Sequence, residues 1–194
     1  MQLVFPLRTE RLTIRPLTMS DVSRHHEIFS NPDVVRHLYD EPLSLPAAQE
    51  HLARRCKVDL PSGDGWLNVG VEVSGGGVLI GELGISLVSE DHHHCEIGYV
   101  FDPAHAGHGY ATEGAALIVE LAFSVMGAHR VSGRLDARND SSARLLERLG
   151  MRREAHFREN EFVKGEWTDE LVYAVLEDEW RRRHGPAQSF ALRV

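Results

Sequence analysis

Two cysteines in 194 residues are too few for a disulfide framework. Cys56 shares a helical face with Ala48 and Leu52, and Cys95 opens an apolar strand, so both are expected to be buried free thiols. No run of about 18 consecutive apolar residues occurs, so no membrane-spanning helix and no membrane partner are expected. The opening MQLVFPLRTERL lacks the basic start and long apolar stretch of a secretory signal, and a soluble cytoplasmic protein is the expectation. Basic residues are also scarce: 21 Lys and Arg stand against 29 Asp and Glu, a formal charge of −8, and the tight basic run is Arg181-Arg182-Arg183. Nucleic acid needs concentrated cationic side chains and is not an expected partner. An acidic surface suits a cationic partner instead, such as a protonated amine.

What is present is an ordinary globular composition, 42% hydrophobic and 26% charged, long enough to bury a full core. With no internal repeat and no linker rich in Pro or Ser, one domain over residues 1–194 is expected. Leu12 to Arg15 reads as a strand; Ser20-Asp21 starts a helix running to about Phe29, where Asn31-Pro32 stops it; a second helix follows Ser44. From Trp66 the period changes. Leu67, Val69, Val71 and Val73 alternate with other residues, Ser74 to Gly77 turn, and Leu79, Leu83, Ile85 and Leu87 resume the alternation, which predicts an antiparallel hairpin. A third strand, Cys95 to Phe101, puts Cys95, Ile97, Tyr99 and Phe101 on one face and Glu96, Gly98 and Val100 on the other. Ala111 to Met126 has helical spacing throughout, Val131 to Leu135 reads as a strand, Ser141 to Leu149 as a short helix ended by Gly150, and Leu171 to Val175 as a late strand. The order is mixed α/β, with a loosely ordered tail after His184.

Between the third strand and the long helix lies Ala106-Gly107-His108-Gly109-Tyr110-Ala111. Two glycines ahead of a helix let a ligand approach backbone N–H groups that have no partner, which makes an anion site. The Gly-x-Gly-x-x-Gly dinucleotide fingerprint fits poorly, because it belongs to a parallel βαβ unit and antiparallel strands precede this turn.

At this turn the chain resembles the GNAT acyltransferase superfamily, whose signature Gln/Arg-x-x-Gly-x-Gly/Ala corresponds to Ala106 through Ala111, with Ala106 departing at the first position. Thr9-Glu10-Arg11-Leu12, Glu96-Ile97-Gly98-Tyr99, His129-Arg130-Val131, Asn139-Asp140-Ser141-Ser142, Leu149-Gly150-Met151-Arg152-Arg153-Glu154 and Gly165-Glu166-Trp167-Thr168-Asp169 look like its RimJ/RimL-type branch, which acetylates N-terminal amines of ribosomal proteins. The resemblance covers about Leu7 to Trp180. It implies an α/β GNAT fold: a mixed, mostly antiparallel sheet flanked by helices, with central strands splayed into an acyl-CoA cleft. It also implies acetyl-CoA as cosubstrate, transfer to a primary amine on a protein N-terminus or a small molecule, and homodimerisation. Backbone amides of Gly107, His108, Gly109, Tyr110, Ala111 and Thr112 would grip the pyrophosphate; Tyr99, Val100 and Phe101 would pair with the pantetheine, and Asn139 would touch it.

A protonated amine cannot attack a thioester until it loses a proton, so the site needs a base. Glu96 is the candidate, on a strand where Gly98 leaves open space on the same face; the plain alternative is that Glu96 pairs with an arginine or lines a solvated strand face. The family's tyrosine acid is replaced by Leu146, and Ser142, matching a serine of the RimL-like pattern, stands as the substitute acid, with helix capping as the alternative for it and for Asn139. Arg144 is either a phosphate contact or a solvated helix charge. For Trp66 and Trp167 core packing is preferred to a place in the acceptor pocket.

His92-His93-His94-Cys95 carries zinc-ligand chemistry, but neighbouring side chains on an extended segment alternate direction and no second pair has finger spacing, so no metal is expected. A noncatalytic coenzyme A-binding or basic-protein-docking module is the alternative function, with Ala106 and Leu146 as signs of decay. Hydrolysis is disfavoured, since no Gly-x-Ser-x-Gly elbow occurs.

Overall fold

A computed structural model describes residues 2–57, 59–61, 65–186 and 192–193. Three short strands open it: β1 (Gln2–Leu3), β2 (Leu7–Arg8) and β3 (Leu12–Pro16). In β3 the alternation holds, with Leu12 and Ile14 fully buried. The first helix starts later than Ser20-Asp21 implies. A 3-10 turn at Met19–Asp21 precedes α1 (Val22–Phe29), because the Asp21 carboxylate is held by the Thr18 N–H and by both terminal nitrogens of Arg15.

Asn31 does more than stop α1: its side chain accepts from the Asp33 N–H and caps α2 (Pro32–Val35), where Pro32 sits at a position whose N–H would lack a partner anyway. Ser44 likewise caps α3 (Leu45–Arg55), which buries Ala48, His51 and Leu52. Cys56 and Cys95 are both free, Cys95 buried and Cys56 half-buried.

The expected meander is β4 (Trp66–Val73), β5 (Leu79–Ser89) and β6 (His94–Phe101), antiparallel with Val69 opposite Leu83 and Leu83 opposite Tyr99. After it come α4 (Tyr110–Ser124), β7 (Arg130–Asp136), α5 (Asp140–Arg148), β8 (Arg152–Val163), β9 (Glu166–Leu176), α6 (Glu177–His184) and β10 (Leu192–Arg193). The tail after His184 is therefore partly paired, since β10 forms a ladder with β1. Its residues 187–191 and 194 lie outside the described residues.

Strands β2 to β9 form an eight-stranded sheet in the order β2-β3-β4-β5-β6-β7-β9-β8, antiparallel except between β6 and β7. This is the expected mixed, mostly antiparallel α/β architecture. Each face carries its own core. One packs α4 against Leu12, Ile14, Leu83, Ile85 and Ile97; the other sets Ile28 and Phe29 of α1 and Leu52 of α3 against Leu17 and Leu79. Burying residues 114–115 and 117–123 requires α4 to be apolar on nearly every side, as its sequence is.

The sheet opens at its centre. Strand β6 pairs with β7 only at His94, Cys95 and Glu96, whereas β7 stays paired with β9 through Asp136 opposite Glu170. From Ile97 to Phe101 the β7-facing backbone of β6 has no ladder partner. This is the expected splay, and the two cavities described next lie beside it.

Candidate active site

A cavity of ≈ 870 Å³ runs from the splayed part of β6 to the start of α4 and along α5. Gly107 and Gly109 take φ of 79° and 78°, a left-handed conformation that side chains resist, and Gly109 is the N-cap of α4. The first turn of a helix leaves its N–H groups without intrahelical partners, so those of Tyr110, Ala111 and Thr112 are free for an anion. Tyr99, Val100, Phe101, Gly107, Gly109, Tyr110, Ala111, Thr112, Asn139 and Ser142 all line this cavity. His108 does not: its Nδ1 lies 2.9 Å from the Ala106 carbonyl and its ring stacks on Tyr110. A Cβ at Gly107 would meet open space, so the turn presents bare backbone. The lining fits a phosphate-bearing cofactor with a slender arm.

Arg11, not singled out individually in the sequence, braces this turn. Its Nη1 donates to the His108 carbonyl at 2.9 Å, its Nε and Nη2 bind the Glu113 carboxylate at 2.7 and 2.6 Å, and its guanidinium lies over the Tyr110 ring. Thr9 Oγ1 donates to the same carboxylate at 2.5 Å. Thr9 and Arg11 thus brace the glycine turn, where Ala106 offers no polar side chain.

A second cavity, ≈ 700 Å³, adjoins the first along the splayed part of β6 and shares His37, Leu38, Tyr99, Val100, Asn139 and Ser142 with it. Glu96 lines it and also a smaller cavity walled by Asp136, Glu161, Asp169, Glu170 and Arg134. Burial raises the Glu96 carboxyl above its usual range, nearby Glu170 adds to the rise, and Arg134 opposes it. The arginine pairing weighed for Glu96 goes to Glu170, which takes Arg134 in a two-point bond at 2.7 and 2.6 Å. Arg134 is thereby held near Glu96 without a hydrogen bond to it.

Ser142 does not cap α5; Asn139 does, its Oδ1 accepting from the Ser142 N–H at 3.0 Å. The Ser142 hydroxyl lies instead 2.7 Å from the Tyr99 hydroxyl. Burial pushes the Tyr99 phenol up to about 12, with the Ser142 bond opposing the rise, so Tyr99 keeps its proton across the working pH range. Leu146 is buried in the core. A tyrosine hydroxyl therefore does stand at the cleft, delivered by β6 instead of α5. Arg144 is exposed and does not line either cavity, whereas Arg148 lines the first.

The packing preferred for the tryptophans is corrected. Trp66 is 41% exposed and lines the second cavity, its ring over Gly84 and Gly98; Trp167 is 60% exposed and pairs with Phe162 on the β8–β9 hairpin. His92 and His93 are exposed and His94 faces Ser132 at 2.8 Å. Among the described residues no group of His, Cys, Asp and Glu is placed to hold a metal, and no helix is long and apolar enough to cross a membrane. Sequence reading missed the floor of the second cavity, built from His51, Arg55, Asn68 and Glu82.

Residues 11–152 match the family model of the acetyltransferase (GNAT) domain. An uncharacterized N-acetyltransferase, YnaD of Bacillus subtilis (strain 168), is 30% identical over 174 residues, covering 90% of this chain and 98% of its own. A GNAT-family acetyltransferase structure from Bacillus anthracis superposes with a TM-score of 0.80 at 29% identity, covering 92% of this chain and 99% of that one. Spermidine N-acetyltransferase from Vibrio cholerae, solved with CoA and spermine, shares the fold at a TM-score of 0.74 and 21% identity, over 89% and 99% of the two chains. With the cleft, the glycine turn and the splayed strand in place, the chain belongs to the GNAT acetyltransferase family and is an acyl-CoA-dependent N-acyltransferase.

Proposed function

We propose that this enzyme transfers an acetyl group from acetyl-CoA directly to a primary amine in a ternary complex, the acceptor being a protein N-terminal α-amine or a small-molecule amine. The observation that carries the reading is the meeting of two cavities along β6, where both are lined by Tyr99, Val100, Asn139 and Ser142, with Glu96 in the second and not the first. One side suits the cofactor and the other an amine. The RimJ/RimL-like motifs of the sequence and a cytoplasmic setting, with both thiols free, accord with it.

Acetyl-CoA supplies the acetyl group as an activated thioester. Glu96, half-buried and raised above the usual carboxylate range, takes the proton that an acceptor ammonium must lose. Backbone N–H groups of Tyr99 and Phe101 on the edge of β6 that faces β7 donate to the oxygen that gains negative charge. Ser142, its hydroxyl bonded to Tyr99, offers a proton at the far side of the junction. A thiolate is a mild base, with a reference thiol pKa of about 8.5, so this last contribution is helpful and not obligatory.

The noncatalytic alternative drew on Ala106 and Leu146. Arg11 and the Tyr99–Ser142 pair place polar groups where those two residues have none. Calorimetric binding of acetyl-CoA, followed by free-thiol release across a panel of amines and N-terminal peptides, tests the proposal. Tight binding with release for one amine class is expected; no acetyl-CoA binding would overturn it.

A further inference from the structure

The floor of the acceptor cavity is a closed ring of hydrogen bonds. Glu82 Oε1 bonds His25 Nδ1; His25 Nε2 lies 2.9 Å from His51 Nδ1; His51 Nε2 lies 3.1 Å from Arg55 Nε; and Arg55 Nη1 returns to Glu82 Oε2 at 3.4 Å. A guanidinium can only donate, and that fixes every proton in the ring. His51 Nε2 must accept, so its Nδ1 carries the hydrogen and donates to His25 Nε2. His25 Nδ1 then donates to Glu82, which accepts at both oxygens. Both histidines are neutral, and the charge of Glu82 balances that of Arg55. His51, buried beside the guanidinium, is lowered to about 4 and stays neutral at physiological pH.

The ring holds Arg55 in one pose. Nη1 also donates to Asn68 Oδ1 at 2.8 Å, and the guanidinium lies 5.6 Å above the Phe29 ring centroid. Nε and Nη1 are thus committed, while Nη2 has no hydrogen-bond partner among the described residues. Arg55 and Arg54 both line the cavity. The cavity wall carries Glu96 on β6 with Arg134, itself bound to Glu170, on β7, and Arg54 and Arg55 on α3 with Glu82 paired to Arg55. Asp40, half-exposed, lies 4.0 Å from His51 and also lines the cavity.

We infer that Arg55 is an acceptor-recognition residue, and that the preferred acceptor carries a carboxylate several bonds from its primary amine, as ω-amino acids do. This rests on the transferase reading above and names its substrate class. The ammonium end sits toward Glu96 and the junction with the cofactor cleft; the carboxylate end takes the free Nη2 of Arg55. Glu96 stands in register with Ser86 and Trp66, whereas Asn68 and Glu82, which hold Arg55, stand two and four residues further along the sheet, so their backbones lie roughly 12–14 Å from that of Glu96 and the acceptor's amine and carboxylate must be several bonds apart. His25, His51, Glu82 and Asn68 act through Arg55 as positioning residues.

Free-thiol release with matched pairs tests this: L-leucine and L-leucinamide, β-alanine and β-alaninamide, γ-aminobutyrate and its amide. A charge-assisted hydrogen bond favours the acid form, and kcat/KM for at least one acid is expected to exceed that of its amide by roughly 10- to 100-fold. Arg55→Met should bring that ratio to about 1, and Arg55→Lys, which keeps the charge and loses the fixed fork, should leave an intermediate ratio. Thermal melts of both variants separate a recognition defect from misfolding. Amides turned over as well as acids in every pair, or a ratio unmoved in a folded Arg55 variant, would overturn the inference and leave the transferase reading standing. Failure of every amine and N-terminal peptide to raise thiol release would overturn both.

Discussion

Arg11 and Glu113, 102 residues apart in the chain, close on each other across the first turn of α4, with Arg11 Nε 2.7 Å from Glu113 Oε2. The contact fixes the helix start that carries the free N–H groups, and the same guanidinium holds the His108 carbonyl. Because Arg11 is 46% exposed, the ion pair itself adds little stability. Its effect falls on the geometry of the turn. Arg11→Ala is expected to weaken acetyl-CoA binding by about 10-fold, or about 1.4 kcal/mol, with kcat changed far less. Calorimetry with the cofactor alone checks this; unchanged affinity would reduce Arg11 to a surface charge.

Glu96 makes a prediction about pH. Its carboxyl is raised mainly by burial, then by Glu170, so the acid limb of kcat/KM should lie above the ordinary carboxylate range. Removing the negative neighbour with Glu170→Gln should move that limb to lower pH. Glu96→Gln should lower kcat/KM by about 100- to 10,000-fold and abolish the limb. Stability should move the other way. A carboxyl raised in the folded state binds its proton more tightly there than when unfolded, so stability falls as pH rises from the unfolded value through the folded one. Glu96→Gln is therefore expected to have a higher Tm than the wild type at pH 8. A pH–rate series with melts on the same samples reads both effects.

Much of the fold was legible because its signals were local. The meander showed as alternation in Leu67 to Val73 and Leu79 to Leu87, and α4 as apolar spacing on nearly every face. Strand β8 was not legible: at the sheet edge, the segment RREAHFRENEFV buries almost nothing, so neither face of it carries a hydrophobic pattern. The site divided the same way. The glycine turn announced itself through residue type and position, and Glu96 through Gly98 beside it. Arg11, Tyr99 as a hydroxyl partner and the ring around Arg55 depend on contacts between residues dozens of positions apart, which no local pattern encodes. Trp66 was misjudged because Gly84 and Gly98 leave room for its ring above the sheet instead of within a core.

That room separates two otherwise similar substitutions. A Cβ at Gly84 would sit 2.9 Å from Trp66 Cε3 and 3.2 Å from Asn68 Oδ1, whereas one at Gly98 would sit 3.4 Å from Trp66 at the nearest. Gly84→Ala must displace the Trp66 ring or the Asn68 amide, and with it the anchor of Arg55. It is expected to raise the acceptor KM by about 10-fold while leaving acetyl-CoA affinity alone. Gly98→Ala meets only ordinary contact and should raise it less than 3-fold, roughly 0.6 kcal/mol or below. Equal effects from the two would mean that Trp66 does not shape the pocket.

The Tyr99–Ser142 pair orders the last comparison. If Ser142 supplies the departing group with a proton, Tyr99, which keeps its own proton to about 12, replenishes and orients that hydroxyl. Ser142→Ala should then cost about 10-fold in kcat, because a thiolate leaves readily without full protonation. Tyr99→Phe keeps the ring that packs against the core and loses only the hydroxyl, so it should cost less, about 3-fold, with acetyl-CoA affinity preserved. Acyl donors with more basic leaving groups should widen both losses, since they depend more on the proton. A series of thioesters and an oxygen ester read with each variant makes the measurement, and a loss independent of the leaving group would assign the pair to cofactor positioning.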